Sequence, residues 1–258
     1  MTLAVLKLVL VPSLVAIVTL GVRRWGPAVG GWLSALPVVA GPVLMFYGIE
    51  QGAAFTAEAA HATLAGLIAT TAFGVAYART SIRQEWYVCV LVGWTTFAAA
   101  VWILFASKPS LMLSLVGLLA ATAAGRWALP PVRSSPGTTP APRADLLLRM
   151  LAAAALVLVL TGLAHRLGPR LSGLLNAFPI LTTIVVAFTH AQRGWEAGVA
   201  FVNGYLRAIP GFGVFCVVMA VAIQPLGLTL ALVCALAAQL AATALILRSP
   251  RFGGGAEA

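Results

Sequence analysis

Residues 19–52 read TLGVRRWGPAVGGWLSALPVVAGPVLMFYGIEQG, and residues 161–194 read TGLAHRLGPRLSGLLNAFPILTTIVVAFTHAQRG. At a constant offset of 142, without a gap, 11 of the 34 positions are identical. A composition this biased gives roughly one chance match in ten, so about three or four would be expected. The matches include Arg24/Arg166, Gly26/Gly168, Pro27/Pro169, Gly31/Gly173, Ala35/Ala177, Pro37/Pro179, Phe46/Phe188 and Gly52/Gly194. Glycine and proline constrain the backbone, so their recurrence predicts a repeated chain path and not merely repeated apolarity.

Outward from this repeat the chain is 61% hydrophobic and 9% charged, with mean hydropathy +1.02. A soluble domain carries about 25% charged residues. Apolar runs of 18 or more residues recur, each long enough to cross about 30 Å of hydrocarbon as a helix. They lack the period-two alternation of a membrane barrel, so the expected fold class is all-α, a polytopic helical membrane protein. The expected spans are 3–21, 32–49, 55–78, 86–106, 110–128, 146–164, 172–190, 197–222 and 227–247, nine in all. Splitting 197–222 at Pro210-Gly211 would add a tenth. The Pro-, Ser- and Thr-rich stretch 130–145 reads as a linker between an N-terminal half, 1–129, and a C-terminal half, 146–258.

With nine alternating spans, Arg23, Arg24, Arg79, Arg83, Arg126, Arg133, Arg143, Arg149, Arg193, Arg248 and Arg251 share one side. Lys7, Lys108, Arg166 and Arg170 fall on the other. The arginine-rich side is expected to be cytoplasmic, with the N-terminus outside and the C-terminus inside. The net charge of +10 then reflects topology, not nucleic-acid binding. Spans one to three match spans six to eight, an odd separation, so the second unit is expected inverted about an axis in the membrane plane. Residues 1–21 have Lys7 inside their apolar stretch and no Ala-x-Ala site, so they read as an uncleaved span. The arginine and alanine bias points to a GC-rich bacterium and hence to the plasma (inner) membrane.

The second span of each unit carries a small polar residue three positions before a proline, Ser34 with Pro37 and Asn176 with Pro179. Such a proline removes a helical hydrogen bond and releases a carbonyl. Paired broken spans in two halves point to a transporter site. Asn176, Thr183 and His190 are seven apart and are expected to share one helix face. The third spans hold Glu58 and His61 in one unit, and Asn203 and Arg207 in the other. Ionisable groups within spans are costly and mark function. The expected solute-binding set is therefore Ser34, Pro37, Asn176, Pro179, Thr183, Asn203 and Arg207. Glu58 and His61 form a candidate proton-coupling pair, because imidazole titrates near neutrality. Arg207, about 15 Å along its span, is expected to meet Glu58 or a carbonyl released by Pro37 or Pro179.

Cys89, Cys216 and Cys234 lie in apolar runs with no CxxC or ligand spacing, so no metal and no cofactor are expected. Walker, GxGxxG, HExxH and GxSxG motifs are absent, so no enzyme is expected. The expected function is secondary transport or permeation of a small polar or anionic solute. The rivals are a non-transporting membrane scaffold or accessory subunit, and an intramembrane enzyme acting on lipid. The expected partners are the lipid bilayer and the solute, without nucleic acid; a homo-oligomer is compatible with the sequence.

One further likeness rests on Arg-x-Gly-Pro-x-x-x-Gly followed by Ala-x-Pro, at Arg24 to Phe46 and Arg166 to Phe188. Each half resembles the small GlpM-like bacterial inner-membrane proteins, which are about four spans long. The resemblance implies membrane location. The departure is that two copies and an additional helix share one chain.

Overall fold

The computed structural model describes residues 2–37, 40–132, 146–152, 154–155 and 169–248. Most of the expected linker, 133–145, residues 156–164 of the sixth span, and Arg166 and Arg251 lie outside the described residues. Every described element is a helix, and no strand occurs among the described residues. The order is α1 (Thr2–Trp25), α2 (Pro27–Ser34), α3 (Ala40–Glu50), α4 (Gly52–Thr80), α5 (Trp86–Ser107), α6 (Leu111–Ala128), α7 (Pro169–Asn176), α8 (Ile180–Arg193) and α9 (Trp195–Arg248). Residues 146–152 are also helical.

The proline signals act where they stand. Helices α2 and α7 open on Pro27 and Pro169, where a missing N–H is an orphan anyway. They end at Ser34 and Asn176, ahead of Pro37 and Pro179. The runs 32–49 and 172–190 are therefore not continuous helices, because the proline ring cannot accept the turn that precedes it. Gly52 (φ 84°) and Gly194 (φ 81°) adopt the left-handed conformation that lets the chain leave α3 and α8 and enter the next helix at once.

Pro210 lies inside α9 without breaking it, so the Pro210-Gly211 split does not occur. The chain turns instead at Gly227 (φ 75°, ψ 170°). Gln239 O lies 3.5 Å from the position of a β-carbon on Gly211, and the Thr243 hydroxyl is also against it. Residues about thirty apart in a straight helix would be some 45 Å distant, so α9 is two antiparallel limbs. That boundary is the one expected between 197–222 and 227–247.

Five described segments are long and apolar enough to cross a membrane: Gly52–Thr80, Trp86–Ser107, Leu111–Ala128, Pro169–Arg193 across the break, and Trp195–Ile246 with its reversal. The chain is a helical membrane protein. In the α4 window 72% of residues are buried, against 22% in α6, so α4 is the inner helix and α6 faces lipid. Exposed Trp25, Trp86, Tyr87 and Trp127 gather at one end, where α1 and α6 end and α5 begins, as expected of an interfacial aromatic belt.

Close packing rests on glycine. A β-carbon on Gly31 would collide with the Phe201 carbonyl oxygen, and one on Gly173 with the Ala59 carbonyl oxygen. So α2 beds on the first limb of α9, while α7 beds on α4. The first limb of α9 runs antiparallel to α4, with Gly74 against Val202 and Gly213 against Leu64. Their crossing centres near Leu67 and Ile209, which are 1% and 0% exposed.

Candidate functional site

Helix α4 carries Thr56, Thr63, Thr70 and Tyr77 at intervals of seven, all fully buried. A seven-residue spacing keeps side chains on one seam of a long helix; α7 and the break after it lie along this seam, and α8 meets it at His190. Thr63 Oγ1 sits 2.8 Å from Ala59 O and 3.1 Å from Gly173 O, donating between them. It accepts in turn from Asn176 Nδ2 at 3.4 Å. Thr70 Oγ1 donates to Ala177 O at 2.6 Å, with Gly66 O at 3.2 Å. Further along, Tyr77 Oη and His190 Nδ1 are 3.1 Å apart, their rings edge to face.

This stripe changes the meaning of the helix breaks. The carbonyls four before the prolines are not open to a solute. Leu33 O accepts from Leu36 N at 3.2 Å, and Leu175 O from Phe178 N at 2.9 Å. Gly173 O and Ala177 O, which a continuous helix would have satisfied, are taken by the α4 threonines. Ser34 Oγ turns back on its own helix and donates to Gly30 O at 2.9 Å. Thr183 Oγ1 accepts from Trp94 Nε1 at 3.3 Å. Phe178, in the break itself, packs on Trp94 and Phe97 with ring centroids 5.8 and 5.1 Å away. Asn176, Thr183 and His190 thus do not form a single polar face. The break at Pro179 interrupts it, and each side chain has its own partner on α4 or α5.

Open space lies elsewhere. A cleft of about 210 Å³ at the end bearing the α5–α6 turn is lined by Glu58, His61, Lys108, Ser110 and Arg170, above Ala62, Ala65 and Leu174. Glu58 and His61 come from adjacent turns of α4, which confirms their shared face. Lys108 is held at the turn by a left-handed backbone (φ 48°). Ser110 caps α6 by accepting from Leu113 N at 3.3 Å. Arg170, in the first turn of α7, donates to Leu104 O at 3.3 Å, with its guanidinium 5.6 Å from the Phe105 ring centre. That bond anchors α7 to the C-terminal end of α5 and leaves the rest of the fork toward the cleft. Among the described residues no ion pair joins Glu58 to Lys108 or Arg170. Behind the floor stands the Thr63–Asn176–Gly173 network.

Arg207 is not part of this cleft. Leu206 and Thr71 both pack within 3.5 Å of a β-carbon position on Gly125, so Arg207 lies at the level of the last turn of α6. Thr71 is thirteen residues beyond Glu58 on α4, about 20 Å along the axis. At that separation the expected partnership of Arg207 with Glu58 does not form. Asn203, half-buried, is one turn away on the same helix.

Two groups of residues were missed by sequence reading. Lys108 and Arg170 were read only as topology markers, since their convergence on Glu58 depends on how α7 docks. The heptad of Thr56, Thr63, Thr70 and Tyr77 was visible in the sequence as polar residues at a constant interval within an apolar span. Among the described residues no cluster of three or more His, Cys, Asp or Glu can hold a metal ion. In comparisons with known proteins, no family model, no curated protein and no solved structure matches this chain.

Proposed function

We propose that the chain is a secondary transporter or permease for a small polar or anionic solute, admitted through the Glu58–His61–Lys108–Arg170 cleft. The cleft carries this reading: it opens beside a broken helix and holds charges of both signs that leave each other unpaired among the described residues. Two cations against one carboxylate favour an anionic group, and His61 beside Glu58 is placed to exchange a proton as a solute enters. The closed helix breaks favour the rival reading of a non-transporting scaffold, since the polar groups there are satisfied within the protein. The lipid-enzyme reading needs an activated nucleophile, and Ser110, the hydroxyl in the cleft among the described residues, is engaged as a helix cap.

The same proposal includes nine spans and two units of inverted topology. Several observations support it. Helices α2 and α7 have equal length and begin at prolines related by the offset of 142. The turns at Gly52 and Gly194 have the same offset and nearly the same φ. Gly31 beds on Phe201 while Gly173 beds on Ala59, a reciprocal pair, as in any two-fold contact. Helices α4 and α9 cross antiparallel about Leu67 and Ile209, themselves related by the offset, which fits an axis across the helices. The cleft then opens on the outer side and Arg126 lies inside.

The test is uptake by proteoliposomes, screened with labelled inorganic phosphate, small carboxylates and neutral amino acids. The expected result is saturable uptake of at least one class, lowered about tenfold or more in Arg170→Gln, the effect of losing one charge-assisted hydrogen bond. Uptake no faster than in empty liposomes for every class would leave the scaffold reading standing.

A further inference from the structure

The charges of the cleft define what it can hold. Lys108 and Arg170 stand on one edge of it, because Leu104 O in the last turn of α5 accepts from Lys108 N at 3.3 Å and from Arg170 Nη2 at 3.3 Å. Ser110 opens the 18-residue helix α6 on the same space, and the N-terminus of such a helix adds positive potential. Glu58 enters from α4. Among the described residues it pairs with neither cation, so more than the ~4 Å of a direct ion pair separates them within one cleft. Below the charges the floor is Ala62, Ala65 and Leu174. The volume of about 210 Å³ is that of about seven waters of liquid, and less than the roughly 300–1,000 Å³ of a drug-sized site.

Two cations and one carboxylate over an apolar floor have a definite complement: two carboxylates and one ammonium on a short hydrocarbon chain. A simple anion would meet the cations but stand against Glu58, whose like charge repels it. A neutral zwitterion would satisfy Glu58 and leave one cation unmatched. Resting on the reading of this cleft as the entrance for a solute, we infer that the solute is an acidic α-amino acid, of the size of aspartate or glutamate. The part of the Arg170 fork not held by Leu104 O takes one carboxylate. Lys108 takes the other as a point charge, and Glu58 takes the ammonium. The methylene groups of the solute lie on Ala62, Ala65 and Leu174.

The test is calorimetric titration of the full-length protein, in phosphatidylcholine nanodiscs, with L-glutamate, L-glutamine and glutarate. Glutamine lacks the second carboxylate, and glutarate lacks the ammonium. Wild type should bind glutamate about tenfold or more tighter than either, the effect of one charge-assisted hydrogen bond. Glu58→Gln should erase the preference for glutamate over glutarate and keep that over glutamine. Lys108→Gln should do the reverse. A merely structural loss would weaken all three ligands alike, so the crossed pattern reports direct contact. Arg79→Gln, exposed in the last turn of α4 and away from the cleft, should keep the wild-type order. The inference is overturned if wild type binds no glutamate at millimolar concentration, or binds glutamine or glutarate as tightly. It is overturned equally if the two cleft variants keep the wild-type order or weaken all three ligands alike. Uptake by proteoliposomes decides separately on transport. Uptake of another solute class without glutamate binding keeps the transporter reading and removes this inference, whereas glutamate binding without uptake does the opposite.

Discussion

Gly31→Ala and Gly173→Ala test the packing that places the broken helices. A methyl group at residue 31 would overlap the Phe201 carbonyl oxygen and stand 2.7 Å from Tyr205 N. At residue 173 it would overlap the Ala59 carbonyl oxygen and stand 2.7 Å from the Ala62 methyl group. Ordinary contact is about 3.5–4.0 Å. The obstructing atoms are mostly backbone, so no rotamer change relieves them, and the helices must separate by about 1 Å. Overpacking of this kind costs about 1–3 kcal/mol, and alanine's better helix propensity returns about 0.5–1 kcal/mol of it. A net loss of about 1–2 kcal/mol is expected for each variant. Gly74→Ala is the control: its methyl group would stand 3.3 Å from Val202 Cγ1, a side-chain atom able to yield. It should lie within about 0.5 kcal/mol of wild type. Reversible unfolding in mixed micelles, titrated with a denaturing detergent and followed by circular dichroism, measures all three. The reasoning fails if Gly31→Ala and Gly173→Ala are as stable as Gly74→Ala. It fails equally if only one of the two is destabilised, because reciprocal contacts must respond together.

Thr70→Val removes the donor to Ala177 O and leaves that carbonyl unpaired, so the same titration should show a loss of about 1–3 kcal/mol, with Thr70→Ser close to wild type. A cysteine placed at Gln84, in the α4–α5 turn, should react with an impermeant thiol reagent only from the cytoplasmic side, and one at Ser107 only from outside; the reverse pattern would overturn the orientation. A reporter fused after Arg251 should read as cytoplasmic, whereas a periplasmic signal would defeat the nine-span count. In proteoliposomes Glu58→Gln should alter the pH dependence of uptake, while Arg207→Gln, outside the cleft, should leave uptake near wild type.

Local backbone chemistry was legible in the sequence. Proline and glycine act within a few residues of where they stand, so the breaks before Pro37 and Pro179 and the boundary between the two limbs of α9 could be read from the chain alone. Membrane residence was equally legible, because composition and run length set transfer free energy without reference to any partner. The common face of Glu58 and His61 belongs here too, since both lie on one helix at a spacing of three and line one cleft. Which distant polar groups meet is a different question. Arg207 was expected to meet Glu58 or a carbonyl released by Pro37 or Pro179, but a helix rise of about 1.5 Å per residue and the docking of α6 on Leu206 place it at the level of the last turn of α6. Arg170 lines one cleft with Glu58 because α7 beds on α4 through Gly173, and Lys108 joins them from the α5–α6 turn, with no signal near either residue in the chain. Likewise the carbonyls at the Pro179 break are claimed by Thr63 and Thr70, more than a hundred residues earlier. The sequence by itself determined the all-helical class and the proline interruptions among the described residues. Only the tertiary structure decided where the cleft opens and which charges share it, because close helix packing in lipid depends on the shape of two facing surfaces, and neither surface encodes the other.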